Sequence, residues 1–360
     1  MPYPMDIEME ITHRCNLSCR FCFQREESIK ANNQPRKVPY GELDVSIIEK
    51  VLRETSEVKS DLYMHGGEPL MHQEWNDVAK VFEKYPRRLR LSTNGLLLEK
   101  RMESILRISK NLVIVFSLHG FKGSFDTYSR KGMYDQSNRN LKLILSLKKK
   151  GVYRGLVTIN CVLNEQVIPN LFNFTKYCER IGVDQLIISY PWYISDHTRR
   201  KMDMYYESHF SWLNSKSKLE NNKPSWYNYS FHLDPSVTNT LCNQIDKIES
   251  TKRKLPIRFH PDLKKNEIYG HISGKNRVTR RKQYCMNITK QMFILPNGNV
   301  SACKVFNEFY AGNIYKQSLI DIWKGERMNN IRKIMNNSFN DGSWPVGVCS
   351  KCNLLSGNQL

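Results

Sequence analysis

Three cysteines fall within eight residues, Cys15-Asn-Leu-Ser-Cys19-Arg-Phe-Cys22, directly after a stretch that alternates apolar and acidic side chains. Thiolates are soft ligands that suit iron–sulfur clusters and zinc. Three of them on a four-iron cluster leave one iron without a protein ligand, and an open iron can chelate a small molecule. The alternatives are cysteines close by chance or a three-ligand zinc loop. A second set, Cys285, Cys303, Cys349 and Cys352, lies at the other end of the chain. Zinc ribbons use closely spaced Cys pairs at both ends, whereas seventeen residues separate Cys285 from Cys303; a cluster is the better expectation. Cys161, in an apolar strand, and Cys178, in an amphipathic helix, read as buried structural thiols, and Cys242 stands alone.

Positioning such residues takes a framework, and strand and helix signals alternate from residue 5 to about 190. Strands are expected over 5–11, 62–65, 89–93, 112–118, 156–162 and 185–189, with helices over 44–55, 138–150, 168–181 and around Trp75 to Phe82. Alternation of this kind builds a parallel sheet from βα units, six by this count. From 191 to 281 the pattern breaks into polar, aromatic and basic sequence, including Trp212, Trp226, Tyr227 and Tyr229, which reads as a linker carrying substrate-contacting or packing elements. The segment 282–360 holds a hairpin with an Asn297-Gly298 turn and a helix over 318–335 leading to Cys349 and Cys352. The expected domains are therefore 1–190, 191–281 and 282–360.

The chain has 360 residues, 40% hydrophobic and 25% charged, ordinary values for a globular protein. No apolar run approaches the roughly 20 residues that span a bilayer, and residues 1–11 lack the basic and apolar regions of a signal peptide. A cytoplasmic location is expected, where thiols stay reduced and cysteines serve as metal ligands more readily than as disulfides. The net charge of +20 raises the question of a polyanionic partner or an acidic substrate. The charge is spread, however, with its densest stretches at 148–150, 252–254 and 277–282 and no aromatic-basic interleaving of a nucleic-acid platform.

The Cys-x3-Cys-x2-Cys motif resembles the signature of the radical S-adenosylmethionine (SAM) superfamily, and further motifs follow in that superfamily's order. Gly66-Gly67-Glu68-Pro69 resembles the element whose backbone and carboxylate hold the SAM amino group. Ser92-Thr93-Asn94-Gly95 matches the polar contacts after the third strand. Ser117 and Arg130 resemble the pair that meets the ribose and the carboxylate, the latter well suited to a guanidinium. Phe21 stands where relatives place an aromatic residue against the adenine, with Ile187 and Ile188 on its other side. His119 occupies a position where relatives often carry Asp; it is a candidate for proton transfer, with neutral packing as the alternative. The implied fold is α/β, a partial (β/α)6 TIM-like barrel whose strand ends converge on one pocket. The C-terminal cysteines resemble the auxiliary-cluster module called twitch, a shortened SPASM domain. Only eight residues follow Cys352, so the resemblance implies one auxiliary cluster on four thiols, acting in electron transfer.

The resemblance implies two [4Fe-4S] clusters, SAM, and an electron donor such as flavodoxin or ferredoxin. The expected chemistry is reductive cleavage of SAM to a 5′-deoxyadenosyl radical, which takes a hydrogen atom from the substrate. A peptide or protein side chain is the leading substrate, oxidised for example by crosslinking. Against it, no leader-recognition domain precedes the first strand. The alternatives are dehydrogenation or epimerisation of a sugar or aminocyclitol, and a non-catalytic metal protein that binds nucleic acid.

Overall fold

The computed structural model describes residues 2–24, 41–213, 223–275, 285–340 and 347–353. One ten-stranded sheet runs through the molecule. Its strands are β1 (Asp6–Glu10), β2 (Asp61–His65), β3 (Leu89–Thr93), β4 (Leu112–Ser117), β5 (Leu156–Val162), β6 (Gln185–Ser189), β7 (Ile257–His260), β8 (Gln291–Ile294), β9 (Asn299–Ser301) and β10 (Tyr310–Asn313). The spatial order is β10-β9-β8-β1-β2-β3-β4-β5-β6-β7, so the sheet is open, as a partial barrel is. From β1 to β7 every neighbouring pair is parallel, and β8 also joins β1 in parallel.

Strand alternation sorts the side chains into two rows. Ile7, Met9, Leu62, Met64, Leu91, Ile114, Phe116 and Ile159 are fully buried, and they pack in one core with helix residues Ile48, Val51 and Val78. In register on the other face lie Glu8, Tyr63, Arg90, Val113 and Val115, then Ser117, Asn160, Ile187 and Arg258. This second row lines the concave side. Cys161 and Cys178 are both buried in the core.

Two features differ from the sequence reading. The segment 191–281 supplies a seventh parallel strand, β7, together with helices Asp196–Phe210, Thr238–Ser250 and Lys265–Ile272. The helix expected over 318–335 is two helices, Leu319–Lys324 and Glu326–Asn340, parted at Gly325, whose backbone is extended and whose helix propensity is the poorest of the run. The hairpin forms as expected: Gly298 takes the left-handed conformation (φ 76°) that its turn requires, and its N–H donates to Leu295 O at 2.8 Å. The basic stretch 277–282 lies outside the described residues. No described helix is long and apolar enough to cross a membrane.

Candidate functional site

The chain leaves β1 through Thr12, His13 and Arg14 into the three-cysteine loop. Gly66 and Gly67 lie flat against that stretch. A Cβ on Gly66 would sit 2.2 Å from Thr12 O, and one on Gly67 would sit 2.2 Å from Arg14 O and 2.5 Å from His13 O. Their closeness is used: Gly67 N donates to Thr12 O and Glu68 N to Arg14 O, each at 2.7 Å. The double glycine is thus the seat of the loop. Further along, Asn94 Nδ2 donates to Asn16 Oδ1 (2.7 Å) and Arg130 donates to Asn16 O (3.0 Å). Arg20 N then donates to Tyr128 O at 2.8 Å. The loops after β2, β3 and β4 therefore clamp the stretch from Cys15 to Cys22. Burial raises the Cys15 pKa, and Cys19, Glu68 and Cys22 push it further up. Thiols that raise one another's pKa are close together, and bound iron would relieve their repulsion.

The buried Glu68 carboxylate accepts from Leu70 N (3.1 Å), Thr93 Oγ1 (2.7 Å) and Asn94 N (2.7 Å), lacing the end of β2 to the end of β3. Burial lifts its pKa to about 7 against the pull of these donors. Pro69 opens the tight helical turn Pro69–Met71 behind it. On the concave face Ser117 stands in register with Asn160, which accepts from Ser189 Oγ at 2.7 Å. Phe21 packs edge-on to His119 with ring centres 4.6 Å apart, and also meets Phe231 and Tyr128. His119 Nδ1 accepts from Val162 N (3.1 Å), and burial takes its pKa down to about 3. Its ring is buried against Phe21. One residue needs correcting: Ile188 pairs in register with buried Cys161 on the helix-packed face, whereas Ile187 shares the concave row with Asn160 and Ser117.

The C-terminal thiols also converge. Cys285 precedes the helix Met286–Lys290 and Cys303 follows β9, so the two arms of the hairpin bring residues of distant number together. Cys349 and Cys352 flank a single turn, with Cys352 N donating to Cys349 O at 3.2 Å. Burial raises the Cys349 pKa first, and Cys352, Cys303 and Cys285 each raise it further. No group of three or more His, Cys, Asp or Glu among the described residues is placed to hold a single metal ion; a four-iron cluster is a bulkier guest whose ligands stand further apart.

The structure gives Tyr229 of the aromatic segment a specific place and adds a charged array that the sequence reading missed. Tyr229 stacks on Phe23, the neighbour of Cys22, with ring centres 5.3 Å apart, and its hydroxyl donates to Val305 O (2.9 Å), two positions past Cys303. Below it, Glu8 on β1 meets His65 Nε2 at 2.8 Å with one carboxylate oxygen and Lys304 Nζ at 3.2 Å with the other. The available signals were an acidic residue on the inward row of the first strand and a lysine next to a cysteine.

Residues 9–167 match the family model of the radical SAM superfamily, and residues 285–353 that of an iron-sulfur cluster-binding domain, SPASM. The chain is 28% identical over 217 residues to pre-heme d1 synthase of Dinoroseobacter shibae, covering 56% of this chain and 50% of that protein. It is 23% identical over 355 residues to a serine-type anaerobic sulfatase-maturating enzyme of Bacteroides thetaiotaomicron, covering 95% and 78%. Among solved structures, Streptococcus suis SuiB bound to its precursor peptide SuiA superposes with a TM-score of 0.61 at 17% identity, covering 98% of this chain and 72% of SuiB, and SuiB has also been solved with SAM. At that identity the likeness concerns the fold. With both family matches falling on the two cysteine-bearing regions, the chain is a radical SAM enzyme with a C-terminal SPASM-type iron–sulfur cluster domain, and its cofactors are SAM and [4Fe-4S] clusters.

Proposed function

We propose that the chain is an oxidoreductase that modifies a peptide or protein side chain, for example by crosslinking, with an auxiliary cluster as electron acceptor. In this reading Cys15, Cys19 and Cys22 hold the cluster that binds SAM, and Cys285, Cys303, Cys349 and Cys352 hold the auxiliary one. Bound together, the first cluster and SAM supply a 5′-deoxyadenosyl radical able to take hydrogen from an unactivated carbon. The protein's part is to orient and to exclude water. Phe21 and Ile187 would face the adenine, Ser117 and Arg130 the ribose and carboxylate, and the turn of Gly66, Gly67, Glu68 and Pro69, with Ser92 and Asn94, the methionyl end. Reduction would come from a donor such as flavodoxin or ferredoxin.

The observation that supports this reading is the span of Tyr229 from the residue beside Cys22 to the loop of Cys303, which links the two cysteine-bearing regions. The peptide is favoured by the likeness to SuiB, solved with a precursor peptide, and to the sulfatase-maturating enzyme. A second reading, oxidation or epimerisation of a small molecule, is favoured by the likeness to pre-heme d1 synthase.

The test is anaerobic reconstitution with iron and sulfide, followed by iron counting and a 5′-deoxyadenosine assay. Wild type should hold about eight irons and the Cys15, Cys19, Cys22 triple alanine variant about four, with deoxyadenosine made by wild type only. Short peptides encoded beside the gene should lose two hydrogen atoms by mass, whereas unchanged peptides and an altered small molecule would move the assignment to the second reading.

A further inference from the structure

Beside the double-glycine turn lies a buried ionic array. Glu8 bridges two basic side chains: His65, the residue immediately before Gly66, and Lys304, the residue immediately after Cys303. All three side chains are largely buried. His65 stacks on Phe293 of β8 with ring planes 4° apart, which fixes its orientation, and its Nδ1 makes no hydrogen bond to any described residue. The groups facing it are Glu8 and Glu10 on β1, Tyr63 beside it on β2, Arg90 on β3 through Tyr63, and Lys304 from the C-terminal loop.

We propose that His65 is the proton acceptor of the oxidation and that Glu8 ties it to the auxiliary-cluster loop through Lys304, so that the proton and electron lost by the substrate go to neighbouring groups. The proposal rests on the oxidative reading above. A substrate carbon radical bearing an O–H, N–H or S–H becomes a C=O, C=N or C=S group by giving up one proton and one electron. The proton passes to the neutral His65 imidazole and the electron to the oxidised auxiliary cluster, which completes the balance.

The array suits this role. Burial disfavours an imidazolium, but Glu8 and Glu10 outweigh it and raise the His65 pKa. Burial likewise works against Glu8, yet Lys304 and His65 hold its pKa down at about 2, so it stays an anion that a new imidazolium can lean on. Because coupling between two sites is reciprocal, an electron placed beside Lys304 strengthens the hold of His65 on its proton.

That reciprocity is what the experiment reads. The reduction potential of the auxiliary cluster is measured by electron paramagnetic resonance in the reconstituted full chain across a pH series, for wild type, His65→Gln, Lys304→Met and Lys304→Arg. The wild-type potential should fall as pH rises through the His65 titration and level off on either side. His65→Gln should lose that slope at unchanged iron content. Lys304→Met should lower the potential at every pH, because a positive charge beside the cluster is gone, and Lys304→Arg should restore it. A flat wild-type profile, or a slope intact in His65→Gln, overturns the proposal, and the wild-type profile decides even if a variant loads poorly. A chain that loads only the three-thiol cluster overturns the functional reading and the proposal with it; a fully loaded chain with a flat profile overturns the proposal alone.

Discussion

Gly67 shows how a single side chain could destroy the site. A methyl there must displace the carbonyls of His13 and Arg14, which is backbone with nowhere to go. Gly67→Ala should therefore lose the three-thiol cluster and keep the other, so that iron falls to about half on reconstitution; full loading would mean that the cysteine loop does not depend on this seat. Glu68 acts through three buried donors. Glu68→Ala orphans all of them and should cost about 3 kcal/mol or more, measured by urea unfolding of the metal-free chain against wild type. Glu8 has a pH signature. Its folded pKa of about 2 lies below the ordinary 4.5, so its stabilising effect is present above pH 4.5 and is lost as pH falls towards 2. The stability difference between wild type and Glu8→Gln should shrink over that window, and a constant difference would mean that Glu8 is not held as an anion.

At the level of elements, what the sequence disclosed depended on whether the pattern was local. Strands β3, β5 and β6 were readable to the residue because Leu89–Thr93, Leu156–Val162 and Gln185–Ser189 combine β-branched or apolar runs with clear flanking breaks. Strand β7 was not: Ile257–His260 is only half-buried throughout and has no alternation to see, and it is a strand because β6 offers it an open edge. The cysteine set was legible from spacing alone, whereas the Glu8, His65 and Lys304 array was not, since its members are 57 and 239 positions apart and meet only when β1 pairs with β2 and the C-terminal loop folds over them. Ile188 was misjudged because strand alternation fixes faces only once the register is known. Local signals also make a local prediction. Ser318 caps the helix Leu319–Lys324 by accepting from Asp321 N at 3.1 Å, so Ser318→Ala should cost about 1 kcal/mol by urea unfolding and leave iron loading unchanged.

For the whole molecule, the notable feature is that the cluster domain does not hang from the barrel but continues its sheet. Strand β1 has β2 on one side and β8 on the other, and a single hydrophobic cluster reaches from Ile7 to Val348. Two domains joined only by a linker would open independently, whereas a shared sheet makes opening of either expose the edge of β1 and leave Glu8 without one of its charge partners, an expensive state for a buried anion. The metal-free chain should therefore unfold as one unit. Hydrogen exchange read by mass spectrometry on fragments covering β2 and the hairpin of β8 and β9 tests this directly, because sub-global opening gives each unit its own free energy. Equal exchange free energies in the two fragments would mean that the distance between the cysteine loops is set by one continuous sheet, the arrangement that lets Tyr229 and Glu8 act across both. A hairpin that exchanges far more easily than β2 would mean instead that the C-terminal domain opens on its own, and that the geometry between the loops is fixed only once the clusters are bound.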